Sequence, residues 1–196
     1  MKFIKDKKAL LLDMNSTFMF GEDRFSDDED YSKIYRQLGG ELPNVKVNRL
    51  VRSAYQFLDE RYPQPKFNNQ FPSLETAFQK VSEEPITNKE MRYLIATFAH
   101  HERGKVSAEY VETLRRLAKI FRLALVIDIW SPKGIWLEYF KSLDILNLFE
   151  TISFSSENGH VKPSPFSFKY VLNELKLESH QAIVIGDSKR RDLGGA

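Results

Sequence analysis

The chain has 196 residues, enough for one α/β domain with a substantial core and a smaller insertion. Apolar residues at 42% and charged residues at 29% give the balance of a folded globular protein, and no run approaches the roughly 20 apolar residues of a membrane span. A net charge of +2 gives no electrostatic case for a nucleic-acid partner, and the lack of cysteine excludes disulfides and a thiol nucleophile. The charged start Met1-Lys2-Phe3-Ile4-Lys5-Asp6-Lys7-Lys8 does not suit a signal-peptide core, so a cytoplasmic location is expected.

Ala9-Leu10-Leu11-Leu12 is a continuous apolar run, the mark of a strand buried on both faces of a parallel sheet. The stretch from Phe20 to Arg103 has no such run but holds amphipathic pieces. Asn48 to Leu58 puts Leu50, Val51, Ala54, Tyr55 and Leu58 on one side, and Asn88 to His100 does the same with Met91, Leu94, Ile95 and Phe98. A proline- and asparagine-containing loop, Tyr62 to Pro72, separates them. Ser107 is a plausible N-cap for a helix to Phe121, and helices are also predicted over Ile135–Leu143 and Pro165–Leu175. Leu123–Ile127, Thr151–Phe154 and Ala182–Ile185 are further strand-like runs. This alternation predicts an α/β fold: a Rossmann-like parallel sheet core, residues 1–19 and 104–196, with a helical cap insertion at 20–103.

Three places carry residues suited to chemistry. The first strand delivers Asp13 to its C-terminal end, where parallel sheets place ligand sites, with Thr17 just beyond the turn. A carboxylate there can attack phosphorus or hold a metal, although an aspartate after a strand also serves as a turn cap. The last strand ends in Gly186-Asp187-Ser188 with Asp192 five residues on, and two such strand ends can gather carboxylates around a hard cation. Lys162-Pro163 offers an ammonium on a backbone pinned by proline, able to neutralise charge and orient a nucleophile.

In this order and spacing the motifs resemble those of the haloacid-dehalogenase-like (HAD) hydrolase superfamily, across nearly the whole chain. Asp13 and Thr17 match its first motif, Lys162-Pro163 its lysine motif, and Gly186-Asp187-Ser188, Asp192 and Gly195-Ala196 its last. The resemblance implies Asp13 as a nucleophile forming an aspartyl-phosphate and Lys162 holding nucleophile and phosphate together. It implies Mg²⁺ held by Asp13, Asp187, the backbone carbonyl of Asn15, and Asp192 as ligand or outer partner. The expected substrate is a small phosphorylated metabolite chosen by the 20–103 insertion; oligomeric state is not set by the sequence.

The chain departs from the family pattern at two positions. Most family phosphatases have a second aspartate two residues after the nucleophile, acting as general acid and base, a role commonly worth 10²–10⁴-fold. Here that residue is Asn15. A serine or threonine should follow the second strand, where Ile127 stands instead, followed by Asp128. Ser131 could supply a hydroxyl from the next loop. Asp128 either caps that loop or stands in for the missing general acid. Family members also continue through at least one more strand and helix beyond the position of Ala196.

Three functions compete on these residues. The first is Mg²⁺-dependent phosphomonoester hydrolysis through Asp13. The second is a catalytically impaired phosphate- and metal-binding or regulatory protein, supported by Asn15 and Ile127. The third is C–halogen hydrolysis, which dispenses with the second aspartate but gains nothing from Asp187. His100, His101 and His160, and the cations Arg115, Arg116, Arg190 and Arg191, are read as structural or surface residues, with Arg190 and Arg191 also placed to add positive potential.

Overall fold

The computed structural model describes residues 4–196; Met1, Lys2 and Phe3 of the charged start lie outside them. Four strands, β1 (Ala9–Leu12), β2 (Arg122–Ile127), β3 (Phe149–Phe154) and β4 (Ala182–Ile185), form one parallel sheet in the order β3-β2-β1-β4. β1 lies inside it, with Leu10 opposite Leu123 on one side and Ile183 on the other. β1 and the body of β2 read as unbroken apolar runs because both faces of the sheet are covered there, whereas the edge strand β3 carries Glu150, Thr151 and Ser153. Alternate residues still divide between faces. Leu10, Leu12, Leu123, Leu125 and Ile127 pack with Val111, Leu114, Trp136 and Phe140. Ala9, Leu11, Ala124 and Val126 pack with Phe168, Val171 and Leu175.

The first layer's helices are α5 (Ala108–Ala118) and α6 (Lys133–Ser142), and the second's is α8 (Phe166–Leu175), with a single turn, α7 (Ser155–Asn158), after β3. Ser107 does occupy the N-cap of α5, yet its side chain makes no capping hydrogen bond. β4 forms one edge, and Ile185 at its end is 39% exposed. No helix among the described residues is long and apolar enough to cross a membrane.

Between β1 and α5 lie α1 (Ser32–Gln37), α2 (Asn44–Asp59), α3 (Leu74–Val81) and α4 (Asn88–Glu102), built around their own apolar cluster. α2 buries Val47, Leu50, Val51, Ala54 and Leu58, a stripe at helical spacing. α4 presents Met91, Leu94 and Phe98 to it, and α3 adds Leu74, Ala77 and Phe78. Ser73 caps α3 by accepting from the Thr76 backbone N–H at 3.1 Å. The chain enters and leaves this layer side by side. The Phe20 and Lys105 backbones exchange hydrogen bonds of 3.0 and 2.8 Å, and Arg24 donates to the carbonyls of Gly21, His100 and Arg103. Helix existence follows the apolar period here, whereas α1 and α3 are too short for a period to be counted from sequence. α2 also begins a turn before Asn48; that turn exposes Asn44 and Val45 (Val45 82% exposed) and gives only Val47 to the buried stripe, too little for a period to show in the sequence.

Candidate active site

The C-terminal ends of β1, β2 and β4 converge beneath the helical layer. The Asp13 backbone N–H donates to the Ile185 carbonyl at 2.8 Å, extending the β1–β4 ladder by one bond and placing the side chain at the sheet's end. The chain then turns tightly: the Met14 carbonyl accepts from the backbone N–H groups of Thr17, Phe18 and Met19, and Ser16 takes a left-handed φ of 54°. Thr17 is thereby brought back to Asp13, its hydroxyl 3.4 Å from Oδ2, and does not line the cavity described below.

Lys162 is the centre of the arrangement. Only 3% exposed, its Nζ donates to Asp13 Oδ1 at 2.6 Å and Asp192 Oδ1 at 2.7 Å. These are short, charge-assisted contacts. The Lys162 backbone N–H donates to Asp128 Oδ2 at 3.0 Å, which fixes the lysine loop to the end of β2, and the Lys162–Pro163 peptide bond is cis. Burial works against the ammonium, but Asp128, Asp13 and Asp192 outweigh it and hold its pKa above the ordinary value. Asp13 is pushed up by burial, with Lys162 opposing.

Asp192 is fixed at both oxygens, since Oδ2 accepts from the Ser188 backbone N–H at 2.9 Å. It packs against Gly186 so closely that a Cβ there would lie 2.3 Å from Asp192 Cγ. The glycine of the Gly-Asp motif is therefore required by the aspartate six residues later. Asp13, Asp187 and Asp192 bring carboxylate oxygens within 4.8 Å of one another, and Asp187 is exposed. Asn15 Oδ1 is buried and has no hydrogen-bond partner. This all-oxygen set, with an orphaned acceptor beside it, fits a hard divalent cation such as Mg²⁺.

A cavity of about 210 Å³ opens over these groups. Asp13, Asn15, Asp128, Lys162 and Asp187 line its floor, so five sequence-predicted residues meet in one place. Asp128 does not cap its own loop. Its Oδ2 accepts from the Tyr62 hydroxyl at 2.7 Å, and burial pushes its carboxyl up to about 6 against the pull of Lys162. The loop after β2 is held instead by Glu102, which accepts from the backbone N–H groups of Trp130 and Ser131 and from the Ser131 hydroxyl. Ser131 is fully buried, accepts from the Trp136 indole at 2.8 Å and does not reach the cavity. Ile127 sits in the core with 2% exposure. His160 stacks on Phe166 with ring centroids 3.9 Å apart, away from the cavity.

Sequence reasoning did not single out the rest of the lining: Glu22, Asp23, Tyr55, Asp59, Tyr62 and Glu102. They come from the helical layer and its connections, where no motif marks them. Trp130 and Arg191 also line the cavity, and Arg191 lies over the Tyr62 ring, 4.9 Å from its centroid.

A family model described as haloacid dehalogenase-like hydrolase matches residues 47–196, more than half of the chain. The chain belongs to this family. The match begins beyond Asp13, so the position of β1 in the hydrolase core comes from the structure itself. None of the curated proteins matches the chain. Among solved structures, 2-haloacid dehalogenase from Pseudomonas syringae pv. Tomato aligns with a TM-score of 0.61 at 19% identity, covering 96% of this chain and 81% of that one. A HAD phosphatase from Thermococcus onnurineus aligns at 0.60 and 21% identity, covering 96% and 80%. The HAD-hydrolase YfnB from Bacillus subtilis, bound to magnesium, aligns at 0.55 and 16%, covering 96% and 83%. At such identities the likeness establishes the fold: an α/β hydrolase core of this family.

Proposed function

We propose that this hydrolase cleaves a small phosphomonoester with Mg²⁺, using Asp13 as nucleophile. The observation that carries the reading is the Lys162 ammonium bonded at once to Asp13 and Asp192, with Asp187 completing an oxygen cluster at the floor of a cavity. Dehalogenation needs the aspartate and the cation but has no use for the additional carboxylates. When bound by Asp13, Asp187 and Asn15, Mg²⁺ supplies charge neutralisation between an anionic nucleophile and an anionic ester.

An Asp13 oxygen attacks phosphorus as the phosphorus–ester oxygen bond breaks, leaving an aspartyl-phosphate and the substrate's alkoxide oxygen. Asp128, whose carboxyl is pushed up to about 6, gives that oxygen its proton. The resulting Asp128 carboxylate then takes a proton from water as the water oxygen attacks phosphorus, releasing inorganic phosphate and restoring Asp13. Lys162 holds the Asp13 carboxylate in position, and the Tyr62 hydroxyl orients Asp128. Asn15, an amide, moves no proton.

The test is phosphate release from a metabolite panel by wild type and Asp13→Asn, in Mg²⁺ and in EDTA, with mass spectrometry of the acid-quenched protein. Mg²⁺-dependent turnover, a phosphate adduct on Asp13 and their joint loss in Asp13→Asn are expected. Turnover surviving in Asp13→Asn, or metal-independent halide release from a chloroacid, would overturn the reading. A second reading, a binding or regulatory protein, is favoured by Asn15 and by Ile127 buried where a phosphate-binding hydroxyl is usual. It predicts binding of Mg²⁺ and vanadate with no turnover on any ester.

A further inference from the structure

The cavity is far more acidic than phosphate chemistry alone requires. Besides the metal-directed carboxylates, Glu22, Asp23, Asp59 and Glu102 line it. Among the described residues, no lysine, arginine or histidine forms an ion pair with any of these four. Glu102 is committed to the loop after β2, while Glu22 Oε1 accepts from the Ser16 hydroxyl at 2.8 Å and its Oε2 is buried with no partner. The cavity's own cations are already engaged, Lys162 between Asp13 and Asp192 and Arg191 over Tyr62. Asp23 is pushed up to about 7, first by desolvation and then by the repulsion of Glu102, Glu22 and Asp59, with Arg191 opposing.

The same walls carry aromatic rings. Tyr55 and Trp130 lie with centroids 5.4 Å apart, and Tyr62 and Trp130 meet edge to face at 5.9 Å. All three rings line the cavity with the free acids. Carboxylates and π-faces together attract an organic cation. A second metal ion fits less well, because among the described residues only Asp13, Asp187 and Asp192 gather ligand atoms within 4.8 Å of one another.

Resting on the reading of this cavity as a phosphate-ester site, we infer that its substrate is a small phosphomonoester of an amino alcohol. The phosphate sits at Asp13 and Lys162, and the alkylammonium group lies among Glu22, Asp59, Tyr55 and Trp130. The cavity of about 210 Å³ suits a short chain between the two charges.

Two measurements test this and separate it from the proposed chemistry. In the first, kcat/KM with Mg²⁺ is compared for phosphoethanolamine and phosphocholine, for the neutral isostere 3,3-dimethylbutyl phosphate, and for anionic 3-phosphoglycerate. A preference of at least about tenfold for an ammonium ester is expected. It should shrink in Glu22→Gln and Asp59→Asn, through KM more than kcat. In the second, choline and 3,3-dimethylbutanol are titrated against tryptophan fluorescence in the wild-type protein without ester, with choline alone expected to bind. Choline binding without hydrolysis of any ester leaves the cation site standing and removes the proposed chemistry. Hydrolysis of neutral or anionic esters as fast as ammonium esters overturns the cation site and leaves the chemistry. Failure of both measurements overturns both.

Discussion

Lys162→Met removes the ammonium between two carboxylates without removing much apolar volume. Wild type buries Lys162, Asp13 and Asp192 with 3%, 7% and 2% exposure, at Nζ–Oδ1 distances of 2.6 and 2.7 Å. Losing one partner of a buried ion pair typically costs about 3–5 kcal/mol, because the remaining charge has neither water nor a counter-ion. With an m-value of about 2 kcal/mol/M, that lowers the urea midpoint by about 1.5–2.5 M in EDTA at about pH 8. The sign of the pH dependence follows from burial. Asp13 already titrates above its ordinary value, and without Lys162 it rises further, so the folded variant binds more protons than the unfolded chain. The penalty is therefore full above the folded pKa and shrinks as pH falls through it, making the deficit at about pH 5.5 smaller than at about pH 8. Added Mg²⁺ should recover part of the loss by binding the folded state. A midpoint shift below about 0.5 M at about pH 8, or one equal at both pH values, would refute the claim that the Lys162 ammonium favours the ionised form of Asp13.

Gly186→Ala puts a Cβ 2.3 Å from Asp192 Cγ, so Asp192 must leave Lys162; Mg²⁺ affinity by calorimetry should fall at least about tenfold while the far-ultraviolet circular dichroism is kept. If Asp128 is the acid and base, the pH profile of kcat has a limb near its value of about 6, and Asp128→Asn removes that limb along with about 10²-fold or more in rate. Asn15→Asp adds a second acid beside Asp13; with Asp128 already moving the proton, turnover should stay near that of wild type, and a gain of about 10²-fold would show that Asp128 does not do this work. His101, 2% exposed, is lowered to about 4 by burial, and Glu29 Oε1 at 3.5 Å is too far to bond it. The folded state thus resists its protonation, a penalty absent above about pH 6.5 that grows to about 3 kcal/mol as pH falls to about 4. His101→Gln should gain on wild type over that interval in denaturant titrations.

β1, β2 and β4 were legible because each is an apolar run bounded by charged or turn residues, a signal contained within four to six positions, whereas the edge strand β3, with Glu150 near its start, was read only from Thr151 on. The motif residues Asp13, Lys162 and Asp187 were legible because their chemistry is tied to strand ends and to the fixed order of the chain. Ser107 was correctly placed at the start of α5, but its capping bond was not made, since residue type alone does not determine a rotamer. Asp128 illustrates the opposite case. Its position after β2 favoured a loop cap over an acid, and the structure instead bonds its carboxylate to Tyr62, 66 residues away in sequence, from the helical layer. Glu102 took over the loop from 28 residues upstream.

By itself, the sequence determined a parallel α/β sheet, the position of Asp13 at a strand end and the family resemblance, because these depend on local hydrophobic pattern and short motifs. Only the tertiary structure decided what surrounds Asp13. Lys162 reaches it across 149 residues of chain, and Glu22, Asp23, Asp59 and Tyr62 gather over it from segments that carry no pattern of their own. Electrostatic environment is a property of groups converging in space, and no spacing along the chain encodes that convergence.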